Sequence, residues 1–392
     1  MASYREFRRS SGYFVSEENF PRKSLTKPTC ESILKESGFG DRVSGISALI
    51  PFFKRGEKIG MKGLSTHFRR AMNHALSLMA AAVIMAFFWC FFRLPDANLL
   101  MVTFAFLSTS VLYDVDGWKD RLKLSLIMAL YASALQFLIG ICYQAKFLQV
   151  ILPALFSFFT LRSLDNRCAA CAVIIVGYLG FFAPGGFMPS IDRAIGIFVG
   201  VIAIMLATAL VGLVHLRHAY ISTFSKPFTL IEAWRITLML GFGTFISNVL
   251  KLSQGPWIML TIVFIYLAVN ETQDHVYFSK RRIFSVPLGL FLGAMYMSCL
   301  VYFNYQFIYL IPFLGALGFF ILYYYDDYFF FTVMFMVAFS IYADWATGDM
   351  HQFHIREMIL SRSLATAIGI ILLLLFQTYF LPEAGQRKAD SV

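Results

Sequence analysis

Three arginines sit a few residues inside long apolar runs: Arg193, Arg235 and Arg362. An ionisable group at membrane depth is costly and faces the interior of a helix bundle, so each is a candidate for function. A guanidinium stays charged and grips a carboxylate through two parallel hydrogen bonds, which suits it to a carboxylated substrate. Glu232 lies one turn before Arg235, a spacing that lets the two pair on one helical face, and Asp192 adjoins Arg193. The competing reading is that these arginines snorkel to lipid head groups or pair with local acids.

A second group of ionisable residues bears on proton movement. Asp326 and Asp327 fall in a turn on the basic side of the chain yet have no basic residue beside them, and Asp165 is the acid at the corresponding turn earlier in the sequence. With Glu232 they are the candidates for proton coupling. Between Asp344 and Glu357, His351 and His354 crowd with carboxylates, a combination able to relay protons near neutral pH. Their three-residue spacing has no matching pair elsewhere, so a metal site is not expected, and a solvated loop is the first reading. Cys168 and Cys171 form a CxxC without a second ligand pair or a redox-type βαβ context, which leaves structural packing.

The elements that position these groups follow from composition. With 58% hydrophobic and 14% charged residues, the 392-residue chain has too little polar surface to clothe a soluble globule. Runs long enough to cross about 30 Å of hydrocarbon recur from His74 almost to the end. A lipid-exposed backbone satisfies its own hydrogen bonds only as helices or closed barrels, and the alternation of barrel strands is absent. The expected fold is an all-α integral membrane bundle of about twelve spans, near 74–92, 97–113, 123–143, 147–161, 168–183, 192–214, 231–250, 256–270, 283–303, 306–325, 328–344 and 358–380.

Lys and Arg concentrate in alternate loops. One side receives Arg69 and Arg70, the Lys119 to Lys123 turn, Arg162 and Arg167, Arg217 and Lys226, Lys280 to Arg282, and Arg387 and Lys388. The other receives little beyond Arg93, Lys146, Lys251 and Arg356. By the positive-inside rule both termini are cytoplasmic and the span count is even. The bias accounts for most of the net charge of +10, and no nucleic-acid motif accompanies it. The division expected is a basic arm over 1–70, a six-helix half over 71–216, a hinge over 217–229, a second six-helix half over 230–381 and a tail over 382–392. The arm has no cleavable signal pattern, and its apolar patch Ile46 to Phe53 beside Lys54, Arg55, Lys58 and Lys62 fits an anionic leaflet surface.

Six-span halves of like orientation imply a parallel repeat. Short matches occur in a shared order: His74 to Met79 with Arg235 to Leu240, Leu99 to Thr103 with Trp257 to Thr261, Lys119 to Lys123 with Lys280 to Arg282, Asp165-Asn166 with Asp326-Asp327, and Arg193 to Ile197 with Arg362 to Ile370. Small residues at four-residue spacing, Gly196 with Gly200 and Gly289 with Gly293, mark close helix packing.

The run Trp234-Arg235-Ile-Thr-Leu-Met-Leu-Gly-Phe-Gly-Thr, then Gly255-Pro256-Trp257-Ile-Met-Leu-Thr261, Arg281-Arg282 leading into Pro287 to Gly293, and the closing Arg362-Ser-Leu-Ala-Thr-Ala-Ile-Gly369 together resemble the fusaric acid resistance (FUSC) and aromatic acid exporter family. The likeness extends over about 231–375 and is faint over 70–215, where Asp96-Ala97-Asn98 replaces the Gly-x-Trp step; the long cytosolic insert of many members is lacking. The resemblance implies efflux of small aromatic or other organic acids across a bacterial inner membrane, often with a periplasmic adaptor protein. It adds Trp257 to Arg193, Arg235 and Arg362 as candidate substrate contacts. No G-x-x-x-x-G-K-[ST] is present, so proton motive force rather than nucleotide hydrolysis is the expected drive, and neither cofactor nor catalytic residue is called for. The alternatives are a major-facilitator-type carrier, for which Asp116 to Arg121 is a loose echo of the signature loop, a membrane acyltransferase using His351 or His354 as base, and a non-transporting assembly subunit. The oligomeric state is not legible from the sequence.

Overall fold

Unbroken apolar stretches with helix-compatible interiors set each element, and polar or Gly/Pro steps end them. The computed structural model describes residues 61–92, 103–105, 107–108, 115, 118–182, 185–214, 228–252, 254–268, 274–303, 310–325, 327–346 and 355–380; among these there is no strand. The chain divides at Phe68/Arg69. The first unit is described only in its final residues, within the helix that enters the second. The expected arm otherwise lies outside the described residues.

The helices are α1 (Met61–Phe92), α2 (Trp118–Ile141), α3 (Lys146–Ser163), α4 (Arg167–Tyr178, extended by a 3-10 turn over Leu179–Phe182), α5 (Phe187–Val214), α6 (Leu230–Val249), α7 (Pro256–Ala268), α8 (Asp274–Tyr302), α9 (Ile311–Tyr325), α10 (Tyr328–Ala346) and α11 (Ile355–Leu375, closing in a π turn over Phe376–Phe380). Among the described residues five are long and apolar enough to cross a membrane, within Trp118–Ile141, Phe187–Leu210, Leu230–Val249, His275–Tyr302 and Ile359–Thr378. Further apolar helices are shorter, among them Pro256–Tyr266 and Tyr328–Ala338. Of the second expected span, near 97–113, only 103–105 and 107–108 are described, and they are helical. Two starts differ most from the sequence reading. α1 begins at Met61 rather than His74, and α8 at Asp274 rather than 283, because the basic residues read as loop continue the helix.

The polarity is inverted relative to a water-soluble protein. Large apolar side chains such as Leu130 (60% exposed), Phe284 (71%) and Phe291 (55%) point outward, while Ser125, Ser133, Gln136, Ser157, Thr244 and Thr261 are buried. Lipid tails are as apolar as leucine, so such an exterior drives no helix association; van der Waals packing and internal polar contacts do. Arg193, Arg235 and Arg282 rank with Trp257 among the largest fully buried side chains. The chain is a multi-pass membrane protein by this distribution together with its span-length helices.

α2 packs on α4 and α5, and α8 packs on α10 and α11. Gly289 lets α8 meet α10 closely, since a Cβ there would lie 2.7 Å from the Cβ of Met336. Asn166 caps α4 by accepting from the Ala169 amide at 3.0 Å. Asp327 does the same for α10, accepting from the amides of Phe329 at 2.8 Å and Phe330 at 3.2 Å. The first stretch meets the second along α3 with α6 and α4 with α7.

Candidate functional site

Four buried arginines define the places where an anion could be held, and they do not share one location. α6 runs 14 residues from Arg235 to Val249 before the short turn into α7, about 20 Å at 1.5 Å per residue. Gly243, late in α6, packs on Ile258 and Met259 at the start of α7. Arg235 and Trp257 therefore lie at different levels of the bundle.

At the Trp257 level the geometry is specific. Arg362 is 3% exposed. Its Nε donates to Gln254 Oε1 at 3.0 Å, and its guanidinium carbon stands 5.3 Å from the Trp257 ring centre. The Trp257 indole Nε1 donates to the same Gln254 oxygen at 3.1 Å. Phe182, at the end of the 3-10 turn, meets Trp257 edge to face with ring centres 6.2 Å apart. The arrangement depends on close packing of α11 on α7: a Cβ at Gly369 would stand 2.8 Å from the Ile258 carbonyl oxygen and 3.1 Å from Thr261 Cβ. A cation beside an aromatic wall is the pairing that recognises a planar ring bearing a carboxylate. The structure thus brings Arg362 and Trp257 together and adds Gln254, which the sequence reading missed; the polar residue just before Gly255-Pro256 was the available signal.

Arg193, fully buried near the start of α5, donates from a terminal nitrogen to Ser190 Oγ at 3.1 Å. The Ser190 hydroxyl donates to the Gly186 carbonyl at 2.6 Å, and the Gly186 amide donates to the Gly140 carbonyl at 3.1 Å. A Cβ at Gly140 would collide with Ser190 Oγ, so this glycine makes the room that Ser190 and Arg193 fill.

Elsewhere the acids are engaged in structure. Glu232 forms an ion pair with Arg167 and completes a capping box with Thr229 at the start of α6. Its described partners are thus Thr229 and a residue of α4. Arg235 is buried one turn further along. Arg162 donates to the Phe228 carbonyl at 2.6 Å, and the Arg167 guanidinium covers the Phe228 ring at 4.5 Å. Asp327 pairs with Arg281 at 3.0 Å, which explains an acidic turn without a basic neighbour in sequence: the base comes from α8. Beside it, the buried Arg282 donates to Tyr328 Oη at 3.0 Å and lies 4.8 Å from the Phe264 ring centre. Sequence reading took Arg282 only as a basic turn. Asp165 is exposed. Asp326, His351 and His354 lie outside the described residues. Cys171 is buried in the core beside the half-exposed Cys168, both as free thiols.

Comparison with known proteins bears on the second part of the chain. No curated protein and no solved structure matches it. Residues 240–376, from mid-α6 to the start of the π turn, match the family model described as fusaric acid resistance protein-like. The match contains Trp257, Gln254, Arg362 and Gly369, the residues that build the cation-and-ring arrangement. This multi-pass membrane protein therefore carries a fusaric acid resistance protein-like domain over 240–376.

Proposed function

We propose that the protein is a secondary transporter of a bacterial inner membrane that exports small organic acids, aromatic carboxylates among them, driven by the proton gradient. The observation that carries the reading is Arg362 held over Trp257 by a shared Gln254 oxygen inside a bundle whose exterior is apolar. A desolvated guanidinium offers a carboxylate two donors, and the indole face offers its ring a stacking partner. Arg193 and Arg235 serve as further anion contacts along the path, at separate levels. The family description over 240–376 points the same way.

Two six-helix halves with both termini cytoplasmic are the architecture proposed. Its support is that α2 packs on α4 and α5 as α8 packs on α10 and α11, that Asn166 and Asp327 cap α4 and α10, and that an arginine stands seven residues before a glycine in both α5 (Arg193, Gly200) and α11 (Arg362, Gly369). Proton movement is assigned to the Asp327, Asp165, Asp326 and Glu232 group as a further part of the proposal. A periplasmic adaptor is the proposed partner.

The test is flux in proteoliposomes of the full chain, with a panel of small aromatic carboxylates under an imposed pH gradient. Movement that collapses on adding a protonophore is expected. Absence of any carboxylate movement, with the protein folded, overturns the reading.

A further inference from the structure

An apolar groove lies on the outer face of α2 and α5. Leu122 and Leu126 on one helix and Phe198, Ile202, Met205 and Leu206 on the other enclose a groove of about 410 Å³ with almost no polar lining. That volume falls in the range of small-ligand pockets. The Ser125 hydroxyl lies 3.7 Å from Met205 Sδ, which sets the register of the two antiparallel helices. The groove thus runs from the level of Leu122, near the start of α2, towards Phe198. From Leu206 to Phe198 it runs about 12 Å, most of the roughly 15 Å of one leaflet's hydrocarbon.

Basic residues flank Leu122 at the start of α2. Trp118, Lys119 and Lys123 are exposed, and the Lys119 ammonium lies 5.8 Å from the Trp118 ring centre. At about 100° per residue, Trp118, Leu122, Leu126, Lys119 and Lys123 fall within an arc of about 140° on α2, and Asp120 lies well outside it. An apolar slot of one-leaflet depth ending beneath two ammonium groups and an interfacial tryptophan is complementary to one kind of molecule. We propose that this groove holds an anionic phospholipid, one acyl chain between α2 and α5 and the phosphate against Lys119 and Lys123. A second copy of the chain is the poorer occupant. A two-fold interface with its axis along the membrane normal would hold both copies' Lys119 and Lys123 at one level of the bilayer, like charges near the same seam, and a helix face does not fill a narrow slot. The inference needs the membrane-embedded bundle but not the transport reading.

Native mass spectrometry of the purified full chain in detergent tests it, with phosphatidylglycerol and phosphatidylcholine of identical acyl chains, alongside a phosphatidylglycerol bearing a diazirine near its acyl terminus. Phosphatidylglycerol adducts at least tenfold more retained than phosphatidylcholine are expected, with diazirine labelling within the Phe198 to Leu206 segment. Lys119→Gln/Lys123→Gln removes the preference for the anionic headgroup, Leu126→Trp removes labelling of the groove, and Lys280→Gln changes neither; thermal melting verifies that each variant is folded. Equal retention of the two lipids, labelling elsewhere, or a folded Lys119→Gln/Lys123→Gln variant that keeps the preference overturns the proposal. So does a dimer that Leu126→Trp dissociates while lipid binding is unchanged.

Discussion

Replacing Arg362 by glutamine removes the charge from the Trp257 site while retaining a polar side chain. The guanidinium is nearly fully buried and already bonded to Gln254, so a carboxylate reaching it forms a charge-assisted hydrogen bond in a dry environment, worth about 1.5–3 kcal/mol. Taking about 2 kcal/mol, and tenfold per 1.4 kcal/mol, the acid loses about 30-fold in affinity. The matched carboxamide, with the same ring, loses far less. Binding of both ligands to both proteins, measured by titration calorimetry in detergent, forms a cycle in which differences from altered packing cancel. The expected coupling between the ligand's charge and Arg362 is about 30-fold by that arithmetic. Structure tolerates the change, because Gln254 Oε1 keeps the Trp257 indole donor at 3.1 Å; loss of about 1 kcal/mol lowers the melting midpoint by only a few degrees. A coupling factor below about threefold in a folded variant would refute the assignment of Arg362 to the substrate carboxylate, the tenfold-per-1.4 kcal/mol scale leaving under 1 kcal/mol for the contact.

Other substitutions separate recognition from packing. Trp257→Phe keeps a ring but loses the indole donor and weakens the cation–ring contact, and an approximately fivefold loss of acid affinity is expected by calorimetry, about 1 kcal/mol. Gly369→Val forces side-chain atoms into the Ile258 carbonyl and Thr261, and a destabilisation of about 1–3 kcal/mol should appear in detergent melting curves together with weaker acid binding. Glu232→Ala removes both the Thr229 capping box and the Arg167 pair, costing about 1–2 kcal/mol, whereas Glu232→Gln keeps the cap and costs less than half as much; equal losses in unfolding measurements would contradict the capping role. Cysteines placed at Lys119 and Lys280 are expected to label from one face of the membrane and those at Lys146 and Lys251 from the other; mixed labelling would break the like-oriented halves.

The helices were legible because lipid leaves a coarse signal, a run of apolar residues closed by polar ones. Thus α2, α6 and α7 fall close to their expected spans. Where charge continues inside a helix the signal fails: Lys280-Arg281-Arg282 reads as a loop, yet α8 passes straight through it, and Arg282 is buried by Tyr328, which lies 46 residues later. Helical spacing names only neighbours on one helix, so it offered Arg235 as a partner for Glu232 and could not see Arg167, 65 residues before it. The same limit hid the base that balances Asp327 and the polar hub at Gln254. Arginines at membrane depth stood out because the environment makes them expensive; their grouping into separate centres came from packing, which a single sequence does not encode in its periodicity.

The amide oxygen of Gln254 has one further consequence. It occupies, with a neutral atom, the post beside Arg362 that an incoming carboxylate oxygen takes in the proposed cycle. In the proposed cycle the vacant site therefore never holds a naked cation: a resident understudy fills the role and is displaced by the guest. On that proposal the exchange keeps the difference between vacant and loaded forms small enough to reset without cargo, and a glutamate in that place would be a guest that never departs.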